Sequence, residues 1–240
     1  MIKLWSRDRA SLFYLCFALS GLTVVALGFG VTYLVPMARG TFSAPWYVHL
    51  HGASALSWIF LLIVQATLVR GARTPVHRYL GQAAIPLSLV IWGSGVATGL
   101  WAASRDLPEM GTAATSSFAG TVTGLSLYLF LVIGAVAIHG TTDWHKRLIM
   151  LATIQLLWPA FFRLRHLLPT IPNPDIWFGL VLAYLPILVA TGRDYWCYGR
   201  IHPVWLFIGP AVVIEQSLEF MLFDQRPLRQ FGQWIFAFLT

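Results

Sequence analysis

The chain has 240 residues, of which 58% are apolar and only 10% are charged, and its mean hydropathy is +0.70. Soluble domains carry about a quarter charged residues, so the composition excludes an ordinary soluble enzyme, a disordered chain and a fibrous protein. We therefore interpret the chain as an integral membrane protein. Its 16 Lys and Arg against 9 Asp and Glu give a net charge of +7. Because these bases are scattered singly between apolar runs, they indicate membrane topology and not nucleic-acid binding.

Seven apolar stretches of membrane-spanning length follow one another along the chain. They cover about residues 10–35, 47–69, 79–102, 116–139, 147–168, 176–192 and 204–223. A transmembrane β-strand would be about 10 residues long with alternating polarity, whereas these stretches are apolar on nearly every face. We predict a single all-α transmembrane domain, residues 1–240, of seven helices: a leading helix at 10–35 and helical hairpins at 47–102, 116–168 and 176–223.

A short segment at 225–240 follows the seventh stretch and has a different pattern. Leu228, Phe231, Ile235 and Phe238 recur at helical spacing, while polar residues occupy the other face. This pattern is typical of an amphipathic helix that lies along a membrane surface. We expect an interfacial helix on the outer surface, or one that packs on a partner subunit.

The distribution of basic residues predicts the orientation of the bundle. One side receives ten Lys and Arg residues: Lys3, Arg7, Arg9, Arg70, Arg73, Arg78, Lys146, Arg147, Arg193 and Arg200. The other side receives six: Arg39, Arg105, Arg163, Arg165, Arg226 and Arg229. Cytoplasmic connections are enriched in basic residues. We therefore expect the N-terminus in the cytoplasm and the C-terminus outside.

A short sequence motif recurs in the cytoplasmic connections. It reads Thr74-Pro-Val-His77-Arg78 before the third span, Thr142-Asp-Trp-His145-Lys146 before the fifth, and Arg200-Ile-His202-Pro203 before the seventh. One interpretation is that each His with its neighbouring base anchors a helix at the lipid headgroups. The other is that these groups converge on an anionic ligand, such as a phosphate or a propionate, with help from helix N-terminal amides.

The cytoplasmic histidines also raise a haem hypothesis. Axial ligands of a b-type haem face each other from two helices at similar depth. His139, at the end of the fourth span, could oppose His77 or His145. We expect these two residues in connections outside the spans, which disfavours haem on this side.

Six ionisable residues fall within or near the outer half of the spans, where each costs roughly 2.5–3.5 kcal/mol on insertion. They are His49, His51, Arg163, His166, Glu215 and Glu219. Glu215 and Glu219 are four residues apart and share a helix face. His49 and His51 are two apart, so about 200° separates them, and only one can face a given site.

This outer cluster has a structural and a functional interpretation. In the first, Arg163 forms an ion pair with Glu215 or Glu219 that locks two helices together. In the second, the carboxylates, imidazoles and guanidinium line an outward-facing cavity that binds a metal ion, holds a quinone head group or relays protons. His51 opposite His166 is a further haem arrangement. In either case we expect Arg163 within salt-bridge distance of one glutamate.

Two stretches carry a resemblance to known proteins. The first runs from His49-Leu-His51-Gly52 through Gln65 and Arg70 to His77-Arg78-Tyr79-Leu80-Gly81, and the second is Asp143-Trp-His-Lys-Arg-Leu-Ile-Met-Leu-Ala-Thr153. They resemble a bacterial family of multi-span membrane proteins described as a domain of unknown function. There is a looser similarity to b-type membrane cytochromes and to assembly factors of terminal oxidases. The resemblance implies a multi-pass protein of the bacterial inner membrane and brings no established activity.

Three functions remain open from the sequence. They are a membrane redox or metal protein that uses haem b, a metal ion or a quinone; a non-catalytic subunit or assembly factor of a respiratory or photosynthetic complex; and a proton-coupled transporter. The sequence disfavours the transporter, because the weak repeats run parallel and no span has a clear break at the midplane. The sequence has no nucleotide-binding loop, HExxH motif, serine nucleophile elbow or mid-helix lysine for retinal. Whether the protein is an enzyme therefore stays open. The expected partners are the lipid bilayer and other membrane subunits.

Cysteine accessibility tests the predicted orientation. In a background without Cys16 and Cys197, Arg73→Cys should react with a membrane-impermeant maleimide only from the cytoplasmic side. Arg105→Cys should react only from outside, because a single span separates the two positions. Reaction of both cysteines from the same side would contradict the topology, and a reversed pattern would contradict the orientation alone.

Overall fold

A computed structural model describes the backbone of residues 7–240 and the side chains from Ser11 onward. Within this part of the chain all regular secondary structure is helical. Seven helices are long and apolar enough to cross a membrane: Ser11–Ala38, Trp46–Arg70, Thr74–Met110, Thr112–Ala137, Thr142–His166, Asp175–Tyr198 and Val204–Met221. The predicted all-α bundle of seven spans is confirmed. Of the bases counted for orientation, Lys3 and the side chains of Arg7 and Arg9 lie outside the described residues.

Several spans consist of more than one helical segment. The first is α-helical over Arg7–Phe29, π-helical over Gly30–Leu34 and α-helical over Val35–Ala38. The third has a short helix, Thr74–Gly81, before the long one, Ala84–Met110. The fifth ends with a 3₁₀ turn, Leu164–His166, after Thr142–Arg163. The sixth and seventh begin with π-helical segments, Asp175–Leu182 and Val204–Ile208, before Ala183–Tyr198 and Gly209–Met221.

The fifth span forms the centre of the bundle. Its residues Leu151 and Ile154 have no exposed surface, whereas the other spans keep large apolar side chains on their outer faces, as the bilayer requires. Hydrogen bonds between spans add to this packing. The Trp58 indole donates to the Thr153 hydroxyl at 3.1 Å. The fifth span therefore fixes the positions of its neighbours.

Two histidines lie within helices and not in connections, so that expectation is wrong. His77 belongs to the helix Thr74–Gly81, and His145 lies in the first turn of the helix that begins at Thr142. Pro75 favours the start of the helix Thr74–Gly81, because its missing N–H is not needed in a first turn. Asp143 favours the start of the helix at Thr142, because a carboxylate interacts well with a helix N-terminus.

The C-terminal segment forms the predicted amphipathic helix, Arg226–Leu239. Its inner face packs on the same chain: a Cβ atom on Gly232 would overlap the Thr115 backbone, and Ile235 is buried with Phe118. The predicted apolar stripe is divided between two faces, because Phe231 and Phe238 are exposed. They stack on Trp234 with ring centroids 6.3 and 6.1 Å away. This aromatic row suits a membrane interface.

Asp224 anchors the start of this helix. The Thr112 hydroxyl and the Arg229 Nε donate to its Oδ1 at 2.8 and 3.0 Å. These hydrogen bonds, with the charge of Arg229, lower the pKa of Asp224. A lowered pKa stabilises the folded state above the ordinary value of about 4. That stabilisation is lost as the pH falls through the folded value, so the anchor is complete at neutral pH.

At the opposite end of the bundle, which we call the cytoplasmic end after the predicted orientation, a buried ion pair joins the fifth and sixth spans. Arg147 Nε lies 2.6 Å from Asp194 Oδ2, and the two residues are 2% and 1% exposed. Arg147 also donates to the Asp143 carbonyl at 2.7 Å. Both charges therefore have close partners in a site that excludes water.

Asp194→Asn tests the importance of this pair for stability. The substitution leaves the Arg147 charge buried without its partner, and we expect it to reduce the free energy of unfolding by about 3–5 kcal/mol. Asp106→Asn is the matched control, because its pair with Arg105 is largely exposed and contributes about 0–1 kcal/mol. Thermal unfolding in detergent measures both. Equal effects of the two substitutions would contradict the prediction.

Candidate functional site

The structure separates the two glutamates predicted for the outer half from Arg163, and it gives the three histidines environments of their own. Glu215 and Glu219 of the seventh span face the fourth span, where Gly120 and Thr123 lie. Arg163 faces the first span, where its Cζ lies 4.4 Å from the centre of the Phe29 ring. The predicted meeting of all these groups at one site is therefore wrong.

Arg163 does not pair with either glutamate. Its guanidinium donates to the Pro159 carbonyl at 3.0 Å, and no carboxylate lies within ion-pair distance among the described residues. Arg163 shares a helix face with Ala160, three residues before it. Because Gly28 of the first span touches the Ala160 carbonyl, this face is covered by the first span. A similar predicted depth in the membrane therefore does not place two side chains on facing sides of their helices.

The outer histidines have three different environments. His49 Nδ1 lies 2.6 Å from the Tyr33 hydroxyl, and His51 Nδ1 lies 3.2 Å from the Ile91 carbonyl. His166 is exposed in the 3₁₀ turn that ends the fifth span. The divergence of His49 and His51 agrees with their 200° separation. Among the described residues, no group of three or more His, Cys, Asp or Glu side chains is arranged to hold a metal ion.

The glutamates belong to a polar cluster that we call the acidic site: Thr123, Gln155, Tyr184, Glu215, Gln216 and Glu219. Glycines of the fourth span make room for it. A Cβ atom on Gly120 would overlap the Glu219 carboxylate, and one on Gly124 would lie 3.3 Å from the Gln155 amide nitrogen. These two glycines therefore admit polar side chains from the seventh and fifth spans, where the sequence suggested only helix packing.

A hydrogen-bonded chain crosses three spans within the acidic site. The Tyr184 hydroxyl lies 3.0 Å from Gln155 Oε1 and 3.4 Å from Gln216 Oε1. The Gln216 side chain in turn hydrogen-bonds Glu219. Tyr184, Gln155 and Gln216 are each at most 5% exposed. Because buried polar groups are costly when unpaired, this chain holds the fifth, sixth and seventh spans in one arrangement around Glu219.

Glu215 lies one turn deeper than Glu219, beside Thr123. The Thr123 hydroxyl donates to the Gly120 carbonyl at 3.1 Å and also lies beside the Glu215 carboxyl group. Glu215 Oε2 is buried and has no hydrogen-bond partner among the described residues. One carboxyl oxygen of the site is therefore free for a proton or a ligand.

Neither carboxylate of the acidic site has a cationic partner in the part of the chain that the structure describes. An isolated ionised carboxylate in an apolar environment is very costly. Two of them one turn apart also repel each other. The site therefore needs at least one proton, or a bound cation, to be stable.

The cytoplasmic candidates do not converge on one centre. His139 Nδ1 lies 2.8 Å from the Val136 carbonyl, and His145 Nδ1 lies 2.8 Å from the Ala135 carbonyl. Lys146 pairs with Asp143 at 2.5 Å, and Arg78 is exposed. These short-range partners favour the interpretation of separate helix anchors.

His77 and His202 lie in different surroundings on this side. His77 is within electrostatic range of His145, and its buried Nδ1 has no partner among the described residues. His202 packs against Trp144, with ring centroids 5.1 Å apart. Burial, followed by the positive charge of Arg147, lowers the pKa of His202. His202 therefore belongs with the Arg147–Asp194 pair and not with His77.

Sequence reasoning missed the uncharged members of the acidic site. Gln155, Tyr184, Gln216 and Thr123 all lie inside predicted spans, and polar residues there were a usable signal. No protein-family model, curated protein or solved structure matches the chain. The function is therefore argued from the geometry of the acidic site and from its place in the membrane.

Carbodiimide labelling tests whether the acidic site holds a proton. Dicyclohexylcarbodiimide is apolar and reacts with protonated carboxyl groups, so we expect it to modify the peptide that contains Glu215 and Glu219 at neutral pH. Labelling should decrease as the pH is raised. Glu109 is the internal control because its carboxylate is exposed to water. Equal labelling of Glu109, or no labelling of the acidic site, measured by mass spectrometry, would contradict the prediction.

Proposed function

We propose that the protein is a proton-coupled membrane transporter in which Glu215 and Glu219 load and release a proton. The observation that carries the proposal is a pair of carboxyl groups inside a span with no cationic partner among the described residues. Intramembrane carboxyl groups of this kind mark proton and ion pathways. A purely structural role is better served by an ion pair, as at Arg147 and Asp194.

The positions of the two carboxyl groups suggest an order of proton transfer. Glu219 lies two residues before the end of the seventh span at Met221, and Glu215 lies one turn deeper. A proton from the outer side therefore reaches Glu219 first. Because two negative charges one turn apart repel each other, uptake by one carboxylate favours ionisation of the other. This coupling makes a shared proton the stable state of the pair.

The surrounding polar groups allow the site to exist with and without its proton. Gln216 hydrogen-bonds Glu219, and the Tyr184 hydroxyl bridges Gln216 and Gln155. An amide N–H donor stabilises a carboxylate without adding a positive charge that would hold it permanently ionised. The site is therefore suited to cycling between the two states.

The seventh span has features that permit movement. It begins with the π-helical segment Val204–Ile208, and Pro210 follows directly after Gly209. A π-helical segment interrupts the regular hydrogen-bond pattern and is frequent at functional sites, and proline cannot donate a backbone hydrogen bond. We propose that tilting of this span opens the acidic site to one side of the membrane at a time.

The redox and complex-subunit hypotheses stay predictions from the sequence. His49 and His51 each use Nδ1 for a partner within the chain and are directed to different spans. This arrangement gives no specific support to a shared metal or haem site. The proton-coupled interpretation is favoured because it uses groups that the structure brings together.

Proton flux into proteoliposomes tests the proposal. A potassium diffusion potential drives protons inward, and an enclosed pH-sensitive dye reports their entry. The flux is measured with and without a pool of small organic solutes, which serve as candidate transported substrates. We expect Glu219→Gln to reduce the flux to that of protein-free vesicles, because a neutral amide cannot carry the proton. Glu109→Gln, the same change at an exposed position, should retain the wild-type rate. Equal rates for wild type and Glu219→Gln in every condition would refute the proposal.

A further inference from the structure

We infer that Arg163 forms the centre of an oxyanion-binding site near the outer end of the bundle, distinct from the acidic site. The first observation is its uncompensated charge. Arg163 lies within the fifth span, and no carboxylate among the described residues pairs with it. A guanidinium keeps its proton at any physiological pH. This permanent charge therefore favours an anionic ligand that is not part of the described chain.

The second observation concerns hydrogen-bond donors. A guanidinium has five N–H groups in a planar fork. One of them donates to the Pro159 carbonyl at 3.0 Å, and the others have no acceptor among the described residues. Two N–H groups on one edge of the fork match the two oxygens of a carboxylate or phosphate. Arg163 thus offers both the charge and the geometry for an oxyanion.

Other basic groups surround Arg163. His51, Arg165 and His166 are all within electrostatic range of it, and among the described residues the only acidic group that influences Arg165 is Asp175. Arg165 donates to the Phe162 carbonyl at 2.8 Å and lies over the Phe162 ring. Three residues of the fifth span and one of the second therefore bring positive or protonatable groups to this end of the bundle, with a single carboxylate nearby.

The position of Arg163 is fixed by the first span. The contact between Gly28 and the Ala160 carbonyl brings the two backbones together, and the Phe29 ring then lies against the guanidinium. The π-helical segment Gly30–Leu34 starts at the next residue, and its Tyr33 holds His49. The arginine is thus held in place against the first span.

The ligand chemistry is that of a carboxylate or phosphate group reaching Arg163 from the outer side. Two sources have this chemistry: a soluble oxyanion and the phosphate of a lipid headgroup. Binding needs no proton movement, so this inference does not depend on the transport proposal. We therefore expect Glu219→Gln to retain the oxyanion site even where it abolishes proton flux.

Thermal unfolding in a non-ionic detergent tests the oxyanion site. In one arm, inorganic phosphate replaces chloride at constant ionic strength, and in the other, phosphatidylglycerol is added to the micelles. A ligand that binds the folded state raises the unfolding temperature in a saturable manner, and we expect a rise of several degrees for wild type. Arg163→Gln should lose this rise. Arg39→Gln, at an exposed arginine of the same end, should retain it and report any general salt effect.

Arg163→Lys keeps the positive charge without the fork and guards against misfolding of the glutamine variant. We expect its half-saturating ligand concentration to be roughly tenfold higher, since one charge-assisted hydrogen bond is lost. A rise with phosphate supports a soluble oxyanion, and a rise with phosphatidylglycerol alone supports a lipid headgroup. No rise in either arm, or an equal rise in wild type, Arg163→Gln and Arg163→Lys, would overturn the inference.

Discussion

The cost of an unpaired charge in the hydrocarbon region governs how this bundle arranges its polar residues. At the cytoplasmic end the cost is offset within the chain, because Arg147 and Asp194 neutralise each other at 2.6 Å. At the other end it is not, because Glu219 and Arg163 face different spans. Each then depends on something outside the described chain: a proton or cation for the glutamates and an oxyanion for the arginine. The pattern of pairing thus separates charges that are neutralised within the bundle from charges that are not.

The seven spans could be predicted from the sequence because hydrophobic length is a direct requirement of the bilayer. The ends of the helices were less predictable. The third span reaches Met110 and not residue 102, because Pro108 is accommodated inside the helix. The fifth begins at Thr142, five residues before its apolar run, because Asp143 and Lys146 form the first turn. A polar first turn is part of the helix, but a search for apolar stretches does not detect it.

Of the acidic site, only Glu215 and Glu219 could be predicted from the sequence, and their expected pairing with Arg163 was wrong. Counting residues along each helix predicted similar depths for Glu219 and Arg163, but depth does not specify the face. The face is set by close contacts at glycines: Gly28 brings the first span over Arg163, and Gly120 receives the Glu219 carboxylate. In sequence, Gly120 and Gly124 resemble Gly95, which lies against Leu125 and His51, and Gly99, which lies against Phe118 and Thr121. A glycine that allows close helix packing and one that makes room for a carboxylate differ only in the helix opposite, and the sequence does not show which helix that is.

Separation of the acidic and basic groups has a consequence for how the bundle responds to its surroundings. Had Arg163 paired with Glu219, each would hold the other ionised, and neither protons nor anions would compete easily for the pair. Apart, the carboxyl pair responds to protons through Gln216 and Tyr184, while the guanidinium stays charged and open to an oxyanion. The fifth span contributes to both sites, through Gln155 and through Arg163 itself. A displacement of this central helix would therefore move Gln155 and Arg163 together. Binding at one site could influence the other by this route.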